Sequence, residues 1–338
     1  ALGRLAANAE VINGEGSFQA ALTGRRGSRF SLQLAGNVAS DRIAVAARGE
    51  YAGRDIVMPR RAVLLKTEDG GWELQKSQLS FGDGFVIAEG RFGGEAPAQG
   101  RVSLAQMPLS LVDLFAGEMG LGGTVSGIID FGTGPGGQPV GEARVMIDNL
   151  TRSGLVLSSR PIDLALVGRL TANQLAARSV IQDQGQTRGR LQARINMPAD
   201  GAFMDRIFAG DLFAQLRFQG PADALWRLAA IDLIDITGQV NVAADVRGSL
   251  ANPQVRGSMA GDALRVQSQL TGTDLRQVRA RGSFSGSRLN LTSFAGTAPN
   301  GGSVSGSGYV DLSGMTPGRG PRMDLRMAMR DAEVMDLA

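Results

Sequence analysis

The chain has 338 residues, 48 of them glycine, with aromatics at only 5% and apolar residues at 43%. It contains neither cysteine nor histidine, which excludes thiolate nucleophiles, disulfides, the usual zinc sites and histidine acid–base chemistry. The net charge is +3, and of 35 basic residues only Lys66 and Lys76 are lysine.

Apolar content is too high for a disordered chain. Many glycines beside few aromatics suit an elongated β-architecture in which each strand meets only its neighbours. No stretch of about 18 apolar residues is present, so no spanning helix is expected. The chain opens Ala-Leu-Gly without a signal-peptide pattern, and it reads as an internal piece of a longer protein.

Along the chain, period-two alternation marks one strand after another. Phe30, Leu32 and Leu34 are the first clear apolar parity. Met107–Met119 then breaks the pattern, placing Leu111, Val112, Phe115 and Met119 at helical spacing with Ser110 as cap and Gly120 as stop. Gly132-Thr-Gly-Pro-Gly-Gly137 matches the spacing of a dinucleotide-binding loop, but Gln138-Pro139 follows where a helix should start, so it reads as a connection between strands. Leu191, Ala193, Ile195 and Met197 alternate next, and Phe203–Phe208 reads as a short helical turn. Leu212, Ala214, Leu216 and Phe218 form another apolar parity, and Pro221–Ile231 reads as a helix with Leu225, Trp226 and Leu228 covering the sheet. Gly238–Gly248 is the clearest strand, with Val240, Val242, Ala244 and Val246 on one side. Leu325, Met327 and Met329 close the series, in a methionine-rich stretch that adds adaptable apolar surface.

A long repeat accompanies the alternation. Gly123-Thr-Val-Ser-Gly, Pro139-Val-Gly141 and Gly185–Gly189 return as Gly238–Gly248, Pro253–Gly257 and Gly302–Gly306, offset by about 115 residues. A partial third copy lies in 14–94. The repeat predicts three segments, 1–120 with a helix near 108–119, 121–236 ending in the helix 221–231, and 237–338. At roughly 12 residues per strand and turn, about 28 strands and a groove on the order of 100 Å are expected.

Arginines such as Arg247, Arg279, Arg281, Arg326 and Arg330 fall on the polar parity, dotted rather than clustered. They read as a solubilising face, and no nucleic-acid partner is expected. The carboxylates form no recognisable catalytic constellation, so neither an enzyme nor a cofactor or metal site is expected.

Gly220-Pro-Ala-Asp-Ala-Leu-Trp-Arg-Leu228, Asp235-Ile-Thr-Gly238, Gly248-Ser-Leu-Ala-Asn-Pro253, Gly282-Ser-Phe-Ser-Gly-Ser-Arg-Leu289 and Gly301–Gly308 together resemble the periplasmic part of the TamB family of translocation and assembly module subunits. That family lies within the AsmA-like, bridge-like lipid transfer group. The resemblance covers about residues 210–338; the rest matches in general character. It implies a mostly β, curled β-taco sheet with an apolar concave face and a few short inserted helices. It also implies phospholipid transport between inner and outer membranes, and support of outer-membrane biogenesis with a barrel partner of the TamA type. The expected place is the periplasm of a Gram-negative bacterium, the whole protein being anchored in the inner membrane. On that reading Phe30, Leu32, Leu34, Leu191, Ile195, Leu212, Leu216, Phe218, Val240, Val242, Val246, Leu325, Met327 and Met329 face phospholipid acyl chains. A chaperone-like scaffold for barrel assembly and a β-solenoid adhesin or passenger domain are the alternative readings.

Overall fold

The computed structural model describes residues 2–116, 119–153, 159–228, 235–268, 272–311 and 322–332. Strands take 75% of the residues and helices 7%, so the expectation of a mostly β chain with short inserted helices holds. Among the described residues there are 21 strands in antiparallel sheet, against about 28 expected for the chain; many run to between 10 and 16 residues.

The chain divides into two compact units, Ala1–Leu150 with Ala165–Ala172, and Thr151–Leu164 with Asn173–Ala338. The first carries β1 (Leu2–Ile12), β2 (Glu15–Arg26), β3 (Ser28–Val38), β4 (Arg42–Tyr51), β5 (Arg54–Arg60), β6 (Ala62–Lys66), β7 (Trp72–Phe81), β8 (Gly84–Phe92), β9 (Gln99–Pro108), β10 (Leu121–Thr133) and β11 (Pro139–Arg152). Next in sequence is β12 (Ile162–Thr171). The second unit carries β13 (Gln174–Asp183), β14 (Gln186–Asn196), β15 (Asp211–Pro221), β16 (Asp235–Gly248), β17 (Pro253–Ser268), β18 (Thr273–Gly286), β19 (Arg288–Thr297), β20 (Ser303–Asp311) and β21 (Arg322–Arg330).

Within each unit, neighbours in sequence pair as antiparallel meanders. In the first unit β5 and β6 share the place of one strand: β4 pairs with both, and so does β7. The break falls at Arg61, just after Pro59, whose missing N–H sits in the register shift between Val57 and Arg60. At the β1–β2 connection Asn13 and Gly14 both have positive φ, 54° and 83°, the two-residue turn whose twist matches the flanking strands.

Among the described residues three short α-helices interrupt the strands. A 3-10 turn at Leu109–Leu111 runs into α1 (Val112–Ala116). Ser110 is therefore inside the turn, and no side chain caps it; its hydroxyl instead accepts from Arg54 Nη1 at 3.0 Å. Leu111 and Leu114 pack against the cluster Tyr51, Ile56, Phe81 and Met107, whereas Val112 and Met119 are exposed. Of the stripe read from spacing, Leu111 therefore packs inward and Val112 and Met119 do not, while Leu114 takes the inward place on α1; the tighter 3-10 turn has a different angular step from an α-helix. The side chain of Phe115 lies outside the described residues.

The expected turn at 203–208 is α2 (Phe203–Ala209). Arg206 is buried there, donating from Nε to the Pro198 carbonyl at 2.6 Å and from Nη2 to Asn173 Oδ1 at 3.5 Å. The expected helix 221–231 is α3 (Ala222–Leu228), with Pro221 ending β15. Residues 229–231 lie outside the described residues. The glycine-rich stretch at 132–137 is a short turn between β10 and β11, as its sequence context predicts.

Candidate apolar face

Cross-strand register, more than any single residue, builds the site. In the first unit one row runs Leu5, Leu22, Leu32, Gly49, Ile56, Phe81, Gly84 across successive strands. Beside it lies Ala7, Ala20, Leu34, Ala47; these four and Met58 line a shallow depression over β1–β5. Phe30 stands opposite Tyr51. Tyr51 and Phe81 pack with ring centroids 6.2 Å apart, and Phe30 and Leu32 join that cluster under Leu111 and Leu114. The 109–116 segment therefore packs on the same cluster that Phe30 and Leu32 join; Phe30, Leu32 and Leu34 are all half-buried.

The second unit repeats the device on a larger scale. One row crosses from β14 to β21 as Leu191, Leu216, Ala244, Gly257, Phe284, Leu289, Val310, Met323. A second runs Gly189, Phe218, Val242, Met259, Gly282, Leu291, Gly308, Leu325. A third starts on β15 and runs Gly220, Val240, Gly261, Ala280, Phe294, Gly306, Met327. No polar residue interrupts them. Ile195 opposes Leu212, Ala214 opposes Val246, and Val304 opposes Met329. All fourteen expected face residues thus fall on the apolar parity of their strands.

Large side chains sit beside glycines along these rows. A Cβ at Gly189 would come within 2.9 Å of the Phe218 ring, and one at Gly36 within 2.5 Å of the Phe18 ring. Phe131 lies over Gly100 in the same way. An aromatic ring covering a cross-strand glycine fills the space that a second side chain would take. Few aromatics and many glycines are therefore one feature of the sheet.

Exposure changes along the rows. Ile195, Leu212, Phe218, Val240 and Val242 are buried, Leu216 and Val246 are half-buried, and Leu191, Leu325, Met327 and Met329 are exposed. α3 packs against β15 and β16, beside Phe218, Val240 and Val242, whereas Ile195 and Leu212 are buried at the other end of β15. On α3, Ala222 and Ala224 are buried and Leu225 is half-buried; the side chains of Trp226 and Leu228 lie outside the described residues.

The opposite face carries the polar parity, and several of its arginines pair with carboxylates across strands. Arg101 meets Asp130 at 2.6 Å and Arg281 meets Asp262 at 3.2 Å. Arg265 binds Asp274 through both nitrogens at 2.7 and 2.8 Å, with Arg276 at 3.1 Å. These hydrogen bonds hold the Asp274 carboxyl down to about 2. Asp69 accepts from Thr67, the Ala96 N–H and Arg91, which holds it well below the usual carboxylate range. These are strand and loop ties. Among the described residues no group of three or more His, Cys, Asp or Glu could hold a metal, and no helix is long and apolar enough to cross a membrane.

No family model, no curated protein and no solved structure matches the chain.

Proposed function

We propose that this chain is a non-enzymatic segment of a periplasmic bridge, conducting phospholipids between inner and outer membranes along its apolar face. The three unbroken apolar rows of β14–β21 carry the reading. Seven strand-to-strand steps of about 4.8 Å make a strip on the order of 30 Å long. That is about twice the reach of one acyl chain, which fills half of a roughly 30 Å bilayer core. An acyl chain needs a continuous apolar strip and no directional contact, and it gains from each CH₂ removed from water. On β21, Leu325, Met327 and Met329 are exposed, and the two methionines are unbranched and flexible.

The direct test is organic-solvent extraction of the purified protein and mass spectrometry for phospholipid. Bound phospholipid, with transfer between donor and acceptor vesicles, is the expected result. A protein that copurifies with no phospholipid and transfers none sinks the reading.

A second reading rests on the sheet edges. Among the described residues β1 pairs only with β2, and β21 only with β20. Open edges accept an added strand, as a scaffold for unfolded outer-membrane β-proteins would. Photo-crosslinking from Asn8 or Ala328 to such a substrate, with no lipid extracted, favours it.

A further inference from the structure

We infer that the polar face of β13–β17 is a docking surface for an acidic protein partner. Across these five strands the register gathers Arg178, Arg190, Arg194, Arg217, Arg247 and Arg256, all exposed. The carboxylates among them are Asp245, held by Arg217 at 2.7 Å, and Asp211 at the margin. Asp262, at the far end of β17, is taken by Arg281. Several arginines elsewhere on the polar faces meet carboxylates in cross-strand pairs, as Arg101 does Asp130 and Arg288 does Asp311, and Arg25 also faces Arg29 across a ladder.

Two arrangements mark this face. Arg190 stands directly opposite Arg217, and like charges facing across a ladder destabilise it. Arg194 and Arg247 flank Phe213 in one row, their guanidinium carbons 5.9 and 6.0 Å from its ring centroid. Stacking on the ring fixes both planar groups while leaving their N–H edges outward. Among the described residues Arg178, Arg190 and Arg256 make no ion pair or side-chain hydrogen bond. A fixed array of forked donors on a rigid sheet matches spaced carboxylates, which accept two N–H bonds each.

The chemistry around the array narrows the partner. A membrane surface calls for apolar or aromatic side chains projecting to enter the headgroup layer, and Phe213, the one aromatic here, is covered by two guanidiniums. Single-stranded nucleic acid calls for free aromatic platforms between the basic groups, and the face offers none. An acidic protein surface requires neither.

The test uses the whole 338-residue chain and three probes: poly-L-glutamate, phosphatidylglycerol-containing vesicles and a single-stranded oligonucleotide. The unaltered chain binds polyglutamate more tightly than the other two, and binding weakens with salt. Arg190→Gln/Arg194→Gln/Arg247→Gln weakens it by about tenfold or more, whereas Arg101→Gln/Arg144→Gln/Arg169→Gln, which removes the same charge, changes it by less than about threefold. Arg190→Gln alone relieves the Arg217 repulsion, so it binds less while melting at the same or a higher temperature. Tighter binding to vesicles or to the oligonucleotide overturns the proposal. So does equal loss in both triple variants, or no salt-sensitive binding to polyglutamate.

Discussion

Gly123 and Gly238 occupy the same structural position about 115 residues apart. Each stands near the start of a long strand, with φ of 99° and 108°. A Cβ at Gly123 would meet the Asn149 carbonyl oxygen at 2.5 Å, and one at Gly238 the Ala263 oxygen at 2.7 Å. Asn149 and Ala263 themselves have positive φ, 54° and 50°. In both copies a short helix precedes the strand, so the repeat read from sequence is a repeated bulge as well.

Gly123→Ala and Gly238→Ala are each expected to cost about 1–3 kcal/mol, from backbone strain and the carbonyl clash together. Gly185→Ala, at a positive-φ turn where a Cβ meets nothing within 4 Å, should cost less. Chemical denaturation of the three variants ranks them, and an equal cost at all three would refute the bulge argument.

The glycine–phenylalanine pairs differ in what surrounds the ring. Phe218 is only 2% exposed, whereas Phe131 is 52% exposed. Gly189→Ala therefore has no room to relax and should lose about 1–3 kcal/mol. At Gly100 the half-exposed Phe131 ring can move aside, and Gly100→Ala should lose less than about 1 kcal/mol. Thermal melts of both variants check the contrast.

The segment over the first unit's face is held mainly by its leucines. Leu109 is buried, so Leu109→Ala should cost about 2–5 kcal/mol. Removing the exposed Arg54–Ser110 hydrogen bond with Ser110→Ala should cost about 1 kcal/mol or less. If the segment also limits lipid access, Ser110→Ala raises lipid transfer at nearly unchanged stability, which melts and transfer assays on one sample measure.

Acid should weaken the second unit through Asp274. Its folded value of about 2 lies below an unfolded value of about 3.9, so its contribution is fully present above about pH 4. It is lost as the pH falls through about 2. Asp274→Asn should therefore lower the melting temperature at neutral pH and flatten its decline between pH 4 and 2. A variant whose acid limb matches that of the unaltered chain would show that Arg265 and Arg276 do not support this carboxylate.

Charge on the apolar face should act differently at its two ends. Val242 is 8% exposed and Met327 is 43% exposed. Val242→Asp buries a carboxylate and should destabilise by several kcal/mol. Met327→Arg leaves its ion within reach of water, so the chain should stay folded while lipid transfer falls. Photo-crosslinkers at Leu325 and Met327 should capture lipid where those at Asp324 and Arg326 do not; capture only at the latter pair would contradict the conduit reading.

The sequence by itself determined which residues are strand and which parity is apolar. Alternation is a local, period-two property, readable at Val240, Val242 and Val246 without knowing their neighbours. The helices were legible as breaks in that period, although the 3-10 turn at Leu109 shifted which side chains face inward. Only the tertiary structure decided how the rows join, because register depends on bulges such as the shift between Thr237 and Gln239, and each slip moves a residue to a different partner. That is why the arginines look evenly dotted along the chain yet gather beside Phe213 in the sheet. It is also why Val242 and Met327, alike in alternation, differ in exposure: β16 lies between two strands with α3 packed against it, whereas β21 pairs only with β20 among the described residues and is exposed throughout.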